Sequence, residues 1–226
     1  KHIGFIGTNE LKRPYGLTVF KTNDTYHLYV TDQYEGENES YMPLDKLNQR
    51  VKHFTFIAKN NSIESKFVKS FGEISGSGIL FIVESIYADH QNNNIIIAEE
   101  DKNQNVHKVY DLNGNFKNII IGEKQFEYQA EGIALYDCGN GEGFWFCMDQ
   151  DFYLTKHNSI HIYDRKTLNY ITSFYTGKTD NTDGIWLTQK PFGNFKKGAL
   201  FAVDDDGGVG TFDLEKIIST LNLNCK

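Results

Sequence analysis

An acid stands directly before a very small residue and an apolar strand at Glu84-Ser85-Ile86-Tyr87, Glu131-Gly132-Ile133-Ala134 and Asp183-Gly184-Ile185-Trp186; Tyr15-Gly16-Leu17-Thr18 puts a phenol oxygen at the same place. A second strand follows each of these units and runs into acid: residues 27–32, 95–101, 144–149 and 200–205. Oxygen donors that recur once per repeat suit a hard divalent cation rather than a soft one, and calcium takes about six to eight of them. Glu84, Glu131 and Asp183 are therefore the expected metal ligands, because carboxylates brought together without a cation repel. Glu99, Asp101, Asp149, Asp204 and Asp206 lie at strand ends, where Asp and Glu ordinarily form turns or solvated surface.

The elements that would position these acids are strands and turns. A repeat of roughly 45 to 70 residues built from short strands points to radially arranged blades, in which equivalent positions converge on one axis. Residues 15–20 and 26–31 read as a hairpin turning at Asn23-Asp24, and 51–58 and 65–70 as strands around Asn60-Asn61-Ser62. Residues 85–89 and 95–99 flank Gln91-Asn92-Asn93-Asn94, and 106–110 and 116–121 flank an Asn113-Gly114 pair, a strong hairpin signal. The third unit runs from Gly132 to Tyr175 and the fourth from Gly184 to Phe212, with a single helical turn expected at 43–47. Residues 214–221 are expected to form a helix capped by Asp213. The reading is one all-β domain over 1–226, with about four blades.

Composition agrees with this. The 226 residues are 39% hydrophobic and carry a net charge of −7, which disfavours nucleic acid and anionic membranes as partners and leaves carboxylates for a cation to neutralise. The longest apolar runs, such as 78–83, are strand-length and far below the roughly 20 residues of a helical span. The chain begins at Lys1 without a signal-like segment, and the expectation is a piece of a longer, secreted protein. Asn23-Asp24-Thr25, Asn38-Glu39-Ser40 and Asn60-Asn61-Ser62 match the glycan acceptor pattern, which an Asn-rich chain also produces by chance. Of Cys138, Cys147 and Cys225, the first two are not expected to face one another across their hairpin; Cys147 reads as core, and Cys225 as free or bridged to a segment outside the sequence.

Ordered along nearly the whole chain, Pro14-Tyr15-Gly16-Leu17, Val83-Glu84-Ser85, Ile97-Ala98-Glu99-Glu100-Asp101, Ala130-Glu131-Gly132-Ile133-Ala134-Leu135-Tyr136, Thr182-Asp183-Gly184-Ile185 and Leu200-Phe201-Ala202-Val203-Asp204-Asp205 resemble the C-terminal two-thirds of a β-propeller phytase. That family is a calcium-dependent phosphatase with six blades. The resemblance implies that Tyr15, Glu84, Glu100, Glu131 and Asp183 bind calcium, with Asp205 at the final acidic strand end. It further implies phosphomonoester hydrolysis in which calcium binds phosphate oxygens and activates water, with Glu84, Glu131 and Asp183 as the catalytic acids.

The sequence departs from the family in two places. Gln33 stands where a lysine is expected, and the first blades, which supply phosphate contacts, would precede Lys1. Lys12, Arg13 and Lys178, with Lys102 near them in role, are the candidate phosphate-binding cations in their place. The alternative to a phosphatase acting on a small phosphoester such as phytate is a non-catalytic, calcium-stabilised propeller that serves as a binding or assembly module; a calcium-dependent lactonase is a third reading. A further chain or segment completing the propeller is also expected. The seven histidines, among them His53, His90, His107 and His161, lack metal-type spacing, and His161 reads as half-buried structure within a strand. There is no Gly-x-Ser-x-Gly elbow and no phosphate-cradling loop opening a helix.

Overall fold

The computed structural model describes residues 2–36, 40–151, 158–205 and 207–225; Asn38 of the second acceptor triplet and Asp206 lie outside the described residues. The strands are β1 (Pro14–Thr22), β2 (Thr25–Asp32), β3 (Val51–Lys59), β4 (Ser62–Phe71), β5 (Val83–Asp89), β6 (Asn94–Glu99), β7 (Val106–Tyr110), β8 (Phe116–Ile121), β9 (Gln129–Gly139), β10 (Glu142–Gln150), β11 (Ser159–Asp164), β12 (Tyr170–Tyr175), β13 (Ile185–Thr188), β14 (Ala199–Asp204) and β15 (Gly208–Asp213). They form four sheets, each in sequence order: β1-β2-β3-β4, β5-β6-β7-β8, β9-β10-β11-β12 and β13-β14-β15. One sheet per repeat is the all-β, blade-like organisation expected from the sequence. The six-bladed phytase architecture is not established by these four sheets.

The reason each repeat becomes a sheet is visible in its burial pattern. β6 is buried along its whole length and β10 nearly so, as near-continuous apolar runs in inner strands should be, whereas β4 and β12 are largely exposed outer strands. Asparagine supplies the reversals: Asn23, Asn60, Asn61, Asn93 and Asn140 sit at positive φ of 53°, 54°, 58°, 52° and 53°, a conformation this side chain tolerates better than most. Strand β4 begins at Ser62, three residues before the alternating pattern became readable, and a 3-10 turn spans Leu44–Gln49.

The chain divides into two compact units, residues 1–101 with 107–120, and residues 102–106 with 121–226. The core of the first gathers Tyr29, Val51, Phe71, Leu80, Val83, Ile95, Ile97 and Tyr110; that of the second gathers Phe146, Met148, Ile160, Ile162, Leu200, Ala202 and Leu214. In two of the repeats the very small residue has a packing cause. A Cβ on Gly16 would stand 2.5 Å from the Glu84 carbonyl oxygen, and one on Gly132 would stand 2.5 Å from the Ile185 nitrogen. Within each unit, neighbouring inner strands therefore meet backbone to backbone beside the acid.

Helix α1 (Leu214–Thr220) forms as expected, with the Asp213 carboxylate accepting the Glu215 N–H at 3.0 Å. Beyond it the tail folds back, Leu223 is buried against the second core, and Cys225 reaches Cys138. The two form a disulfide with Cα atoms 5.4 Å apart, which corrects the expectation that Cys225 is free or bridges to an outside segment. Cys147 is a free, buried core thiol, as read from the sequence. No helix among the described residues is long and apolar enough to cross a membrane.

Candidate metal centre

Each blade holds the chain just before its inner strand with the acid that ends its second strand. The Asp32 carboxylate accepts the Lys12 and Arg13 N–H groups at 2.9 and 2.7 Å, and Glu99 accepts those of Phe81 and Ile82 at 2.6 and 2.9 Å. Asp149 takes the Glu127 and Tyr128 N–H groups at 2.8 and 2.9 Å, and Asp204 that of Asp180 at 3.0 Å. Three of these acids face a basic residue on the third strand: Lys52 Nζ lies 3.9 Å from Asp32, His161 Nε2 lies 3.4 Å from Asp149, and the Lys108 ammonium acts on Glu99. Burial pushes the Glu99 carboxyl up to about 7, against the pull of the Ile82 N–H, the Lys108 charge and the Phe81 N–H. Burial likewise lowers the Lys108 ammonium, which Glu99 opposes. Sequence reading had assigned Glu99, Asp101 and Asp149 to turns or solvated surface; all three are buried. A charged strand end does not announce the backbone N–H groups it will collect.

These clamps set the first residues of the inner strands, and the repeated acids follow directly. In the first unit Glu84 is buried near the start of β5, and Glu100 follows the clamp acid Glu99. One carboxylate oxygen of each comes within 4.8 Å of the other. Gln33, one step past the clamp acid Asp32, donates its amide to Glu84 at 2.7 Å. Its place, where the resemblance implies lysine, is thus taken by a neutral donor that orients a candidate ligand. Tyr15 is about half exposed on β1.

In the second unit Glu131 is buried near the start of β9, and Asp183 is half-buried before β13. Gln150, one step past the clamp acid Asp149, donates to Asp183 at 2.6 Å and to Asn181 at 3.1 Å; Asn181 in turn donates to the exposed Asp205 at 3.0 Å. The first and third blades thus repeat one arrangement, an amide at the step after the clamp acid that bonds the repeated acid of the following blade. The second blade has Glu100 at that step. An acid beside an acid gives hard oxygen donors with no hydrogen to share between them when both are ionised, and that donor set fits calcium.

Of the candidate phosphate-binding cations, Arg13 is committed to Glu35, with Nη1 and Oε1 2.5 Å apart, and Lys178 is exposed after β12. Lys12 Nζ sits over the Tyr34 ring at 4.2 Å. The same ring has the Arg50 guanidinium at 5.1 Å and Lys52 Nζ at 6.0 Å. Arg50, missed in the sequence, is buried and donates Nη1 to the Tyr34 carbonyl at 2.5 Å and Nη2 to the Phe81 carbonyl at 2.6 Å. It lines a cavity of about 160 Å³ with Gln33, Tyr34, Tyr41 and Glu100. The only sequence signal for it is an arginine directly before the apolar start of strand β3, where the pattern gives no reason for a charge.

No protein-family model and no curated protein matches the sequence. Solved structures do. A chain of a nidogen/laminin complex aligns over 92% of this chain and 62% of its own, at a TM-score of 0.55 and 12% identity. A thermostable family-43 glycoside hydrolase aligns over 90% of this chain and 70% of its own, at 0.51 and 12%. The fold is β-propeller-like. At this identity the likeness carries the fold and not an activity, and the present chain spans less than two thirds of the nidogen/laminin chain's length.

Proposed function

We propose that this chain is a calcium-dependent phosphomonoester hydrolase of the phytase type, with Glu84 and Glu100 as calcium ligands in the first unit and Glu131 and Asp183 in the second. The observation that carries the reading is the Glu84–Glu100 pair, carboxylate oxygens within 4.8 Å in a half-buried to buried setting, with Glu100 at the step where the first and third blades place an amide. Calcium, when bound, would offset charge on the phosphate oxygens and lower the pKa of a water. Gln33 holds Glu84 in one orientation, and Gln150 does the same for Asp183. Lys12 and Arg50, gathered about Tyr34 in the unit that carries the acid pair, offer positive charge to an anionic substrate. Tyr15 and Asp205 are further candidate ligands in the first and second unit respectively, and Lys178, exposed after β12, is a further candidate cation, whereas Arg13 is engaged by Glu35.

The proposal includes a secreted or extracellular location, which the Cys138–Cys225 disulfide supports because such bonds persist in oxidising compartments. A further segment or chain supplying the blades that precede Lys1 in the resemblance is part of the proposal. The test is phosphate release from inositol hexakisphosphate by the full chain in calcium and in chelator. Calcium-dependent turnover that drops at least tenfold in Glu84→Gln supports the reading; absence of turnover in calcium rejects it. The second reading, a calcium-stabilised binding module without turnover, is favoured by Gln33 standing in place of a cation and by Arg13 being tied to Glu35. It predicts that calcium raises the melting temperature while every phosphoester stays intact.

A further inference from the structure

Three neighbouring strands of the second unit place an acid, an imidazole and a hydroxyl on one face of a single sheet. Cys147 of β10 pairs with His161 of β11, and His161 pairs with Ser173 of β12. Asp149 lies two residues beyond Cys147 and so returns to the same face. His161 Nδ1 is 2.6 Å from Ser173 Oγ, and His161 Nε2 is 3.4 Å from Asp149 Oδ2. An ionised carboxylate accepts only, so Asp149 sets the tautomer with the proton on Nε2 and leaves Nδ1 to accept from Ser173. The Tyr170 hydroxyl lies 2.8 Å from the same Oγ.

The clamp role of Asp149 accounts for a basic neighbour but not for the rest. The first two blades neutralise their clamp acids with Lys52 and Lys108. The third uses an imidazole instead, whose second nitrogen is turned to a serine. Ser173, His161 and Asp149 also line a cavity of about 280 Å³, together with Lys124, Gln125 and Tyr170. That is the small end of ligand-sized space.

We propose that Ser173, His161 and Asp149 form a nucleophilic site for short-chain carboxylic esters, separate from the calcium-binding acids. Ser173 Oγ attacks the ester carbonyl carbon as its proton passes to His161 Nδ1. The carbon–oxygen bond to the alcohol then breaks, and the leaving oxygen takes that proton. A water attacks the acyl-serine, gives its proton to His161, and the carboxylic acid departs as Ser173 regains its hydrogen. Lys124, Gln125 and Tyr170 carry hydrogen-bond donors on the cavity wall for the carbonyl oxygen as it becomes negative. Ser173 and His161 are the catalytic residues; Asp149 is a positioning residue, held by two backbone N–H groups.

The groups around the imidazole are Asp149 from β10, Ser173 and Tyr170 from β12, and Phe126 edge-on at 5.0 Å; Lys124 and Glu127 are the other charges on the cavity wall. The experiment is labelling of the full chain with a fluorophosphonate, mapped by mass spectrometry, alongside hydrolysis of p-nitrophenyl acetate, both in chelator so that calcium chemistry is silent. Label on Ser173 is expected, with loss of label and at least a tenfold loss of ester turnover in Ser173→Ala, a half-exposed position whose change leaves the fold intact. His161→Gln should lose the label at an unchanged circular dichroism spectrum. Asp149→Asn should lower kcat for p-nitrophenyl acetate at least tenfold at an unchanged KM, because the imidazole loses the carboxylate that fixes its tautomer. Wild-type protein that takes no label at Ser173, Ser173→Ala that keeps full turnover, or Asp149→Asn with the wild-type kcat would overturn the proposal.

Discussion

Replacing Glu100 with glutamine gives the second blade the amide that the first and third already carry as Gln33 and Gln150. Two unit charges 4.8 Å apart, the upper separation of the Glu84 and Glu100 oxygens, repel by about 3.5 kcal/mol at an effective dielectric of ~20 and by about 0.9 kcal/mol in water. Glu84 is buried and Glu100 half-buried, so solvent screens part of this, and the chain without cation should carry about 1–3 kcal/mol of repulsion at neutral pH. Glu100→Gln therefore has opposite effects in two conditions. In chelator the variant should be more stable than wild type by that amount, because a repulsion has become a hydrogen bond. In millimolar calcium the wild type should gain stability and the variant little, since a ligand is missing. Urea unfolding followed by tryptophan fluorescence, with buried Trp145 and exposed Trp186 as reporters, measures both. A variant less stable than wild type in chelator, or one that calcium stabilises as much as wild type, would refute the reasoning.

Cys225→Ser opens a covalent loop whose ends are 87 residues apart, and chain entropy sets the expected loss of stability at about 4–5 kcal/mol as an upper bound; a urea midpoint unchanged from wild type would show that the bond constrains nothing. Glu99 binds its proton more tightly folded, at about 7, than at the ordinary carboxyl value of 4.5. Between those pH values the native state holds more protons than the unfolded one, so stability should fall as pH rises from about 4.5 to about 7. Urea titrations across that window should show this contribution, up to roughly 3 kcal/mol, vanish in Glu99→Gln; equal slopes in the two proteins would contradict it.

Much of the architecture is legible because it is local. Period-two alternation and the Asn turns at 23, 60–61, 93 and 140 place the hairpins, and Asp213 marks the start of helix α1. The repeated units could be found because each sets an oxygen-bearing side chain before a very small residue, whose smallness has a geometric cause at Gly16 and Gly132 in the close backbone approach there. What escaped depends on partners distant in sequence. The bond between Cys138 and Cys225 requires the tail to fold back through Leu223, which no spacing rule conveys. The pairing of Asp149 with His161, and of His161 with Ser173, depends on strand register, so a histidine read as half-buried structure proved buried between an acid and a hydroxyl. Gln33 was noticed as a missing cation. Its actual role, a donor to Glu84, belongs to the next blade.

The central claim is that the acids at the recurring blade position bind calcium, and calorimetric titration of calcium into chelator-stripped full chain tests it most directly. Saturable binding that is lost or weakened at least tenfold in Glu84→Gln and in Glu131→Gln is the predicted result. No saturable heat in the wild type, or isotherms that overlay for all three proteins, would contradict it.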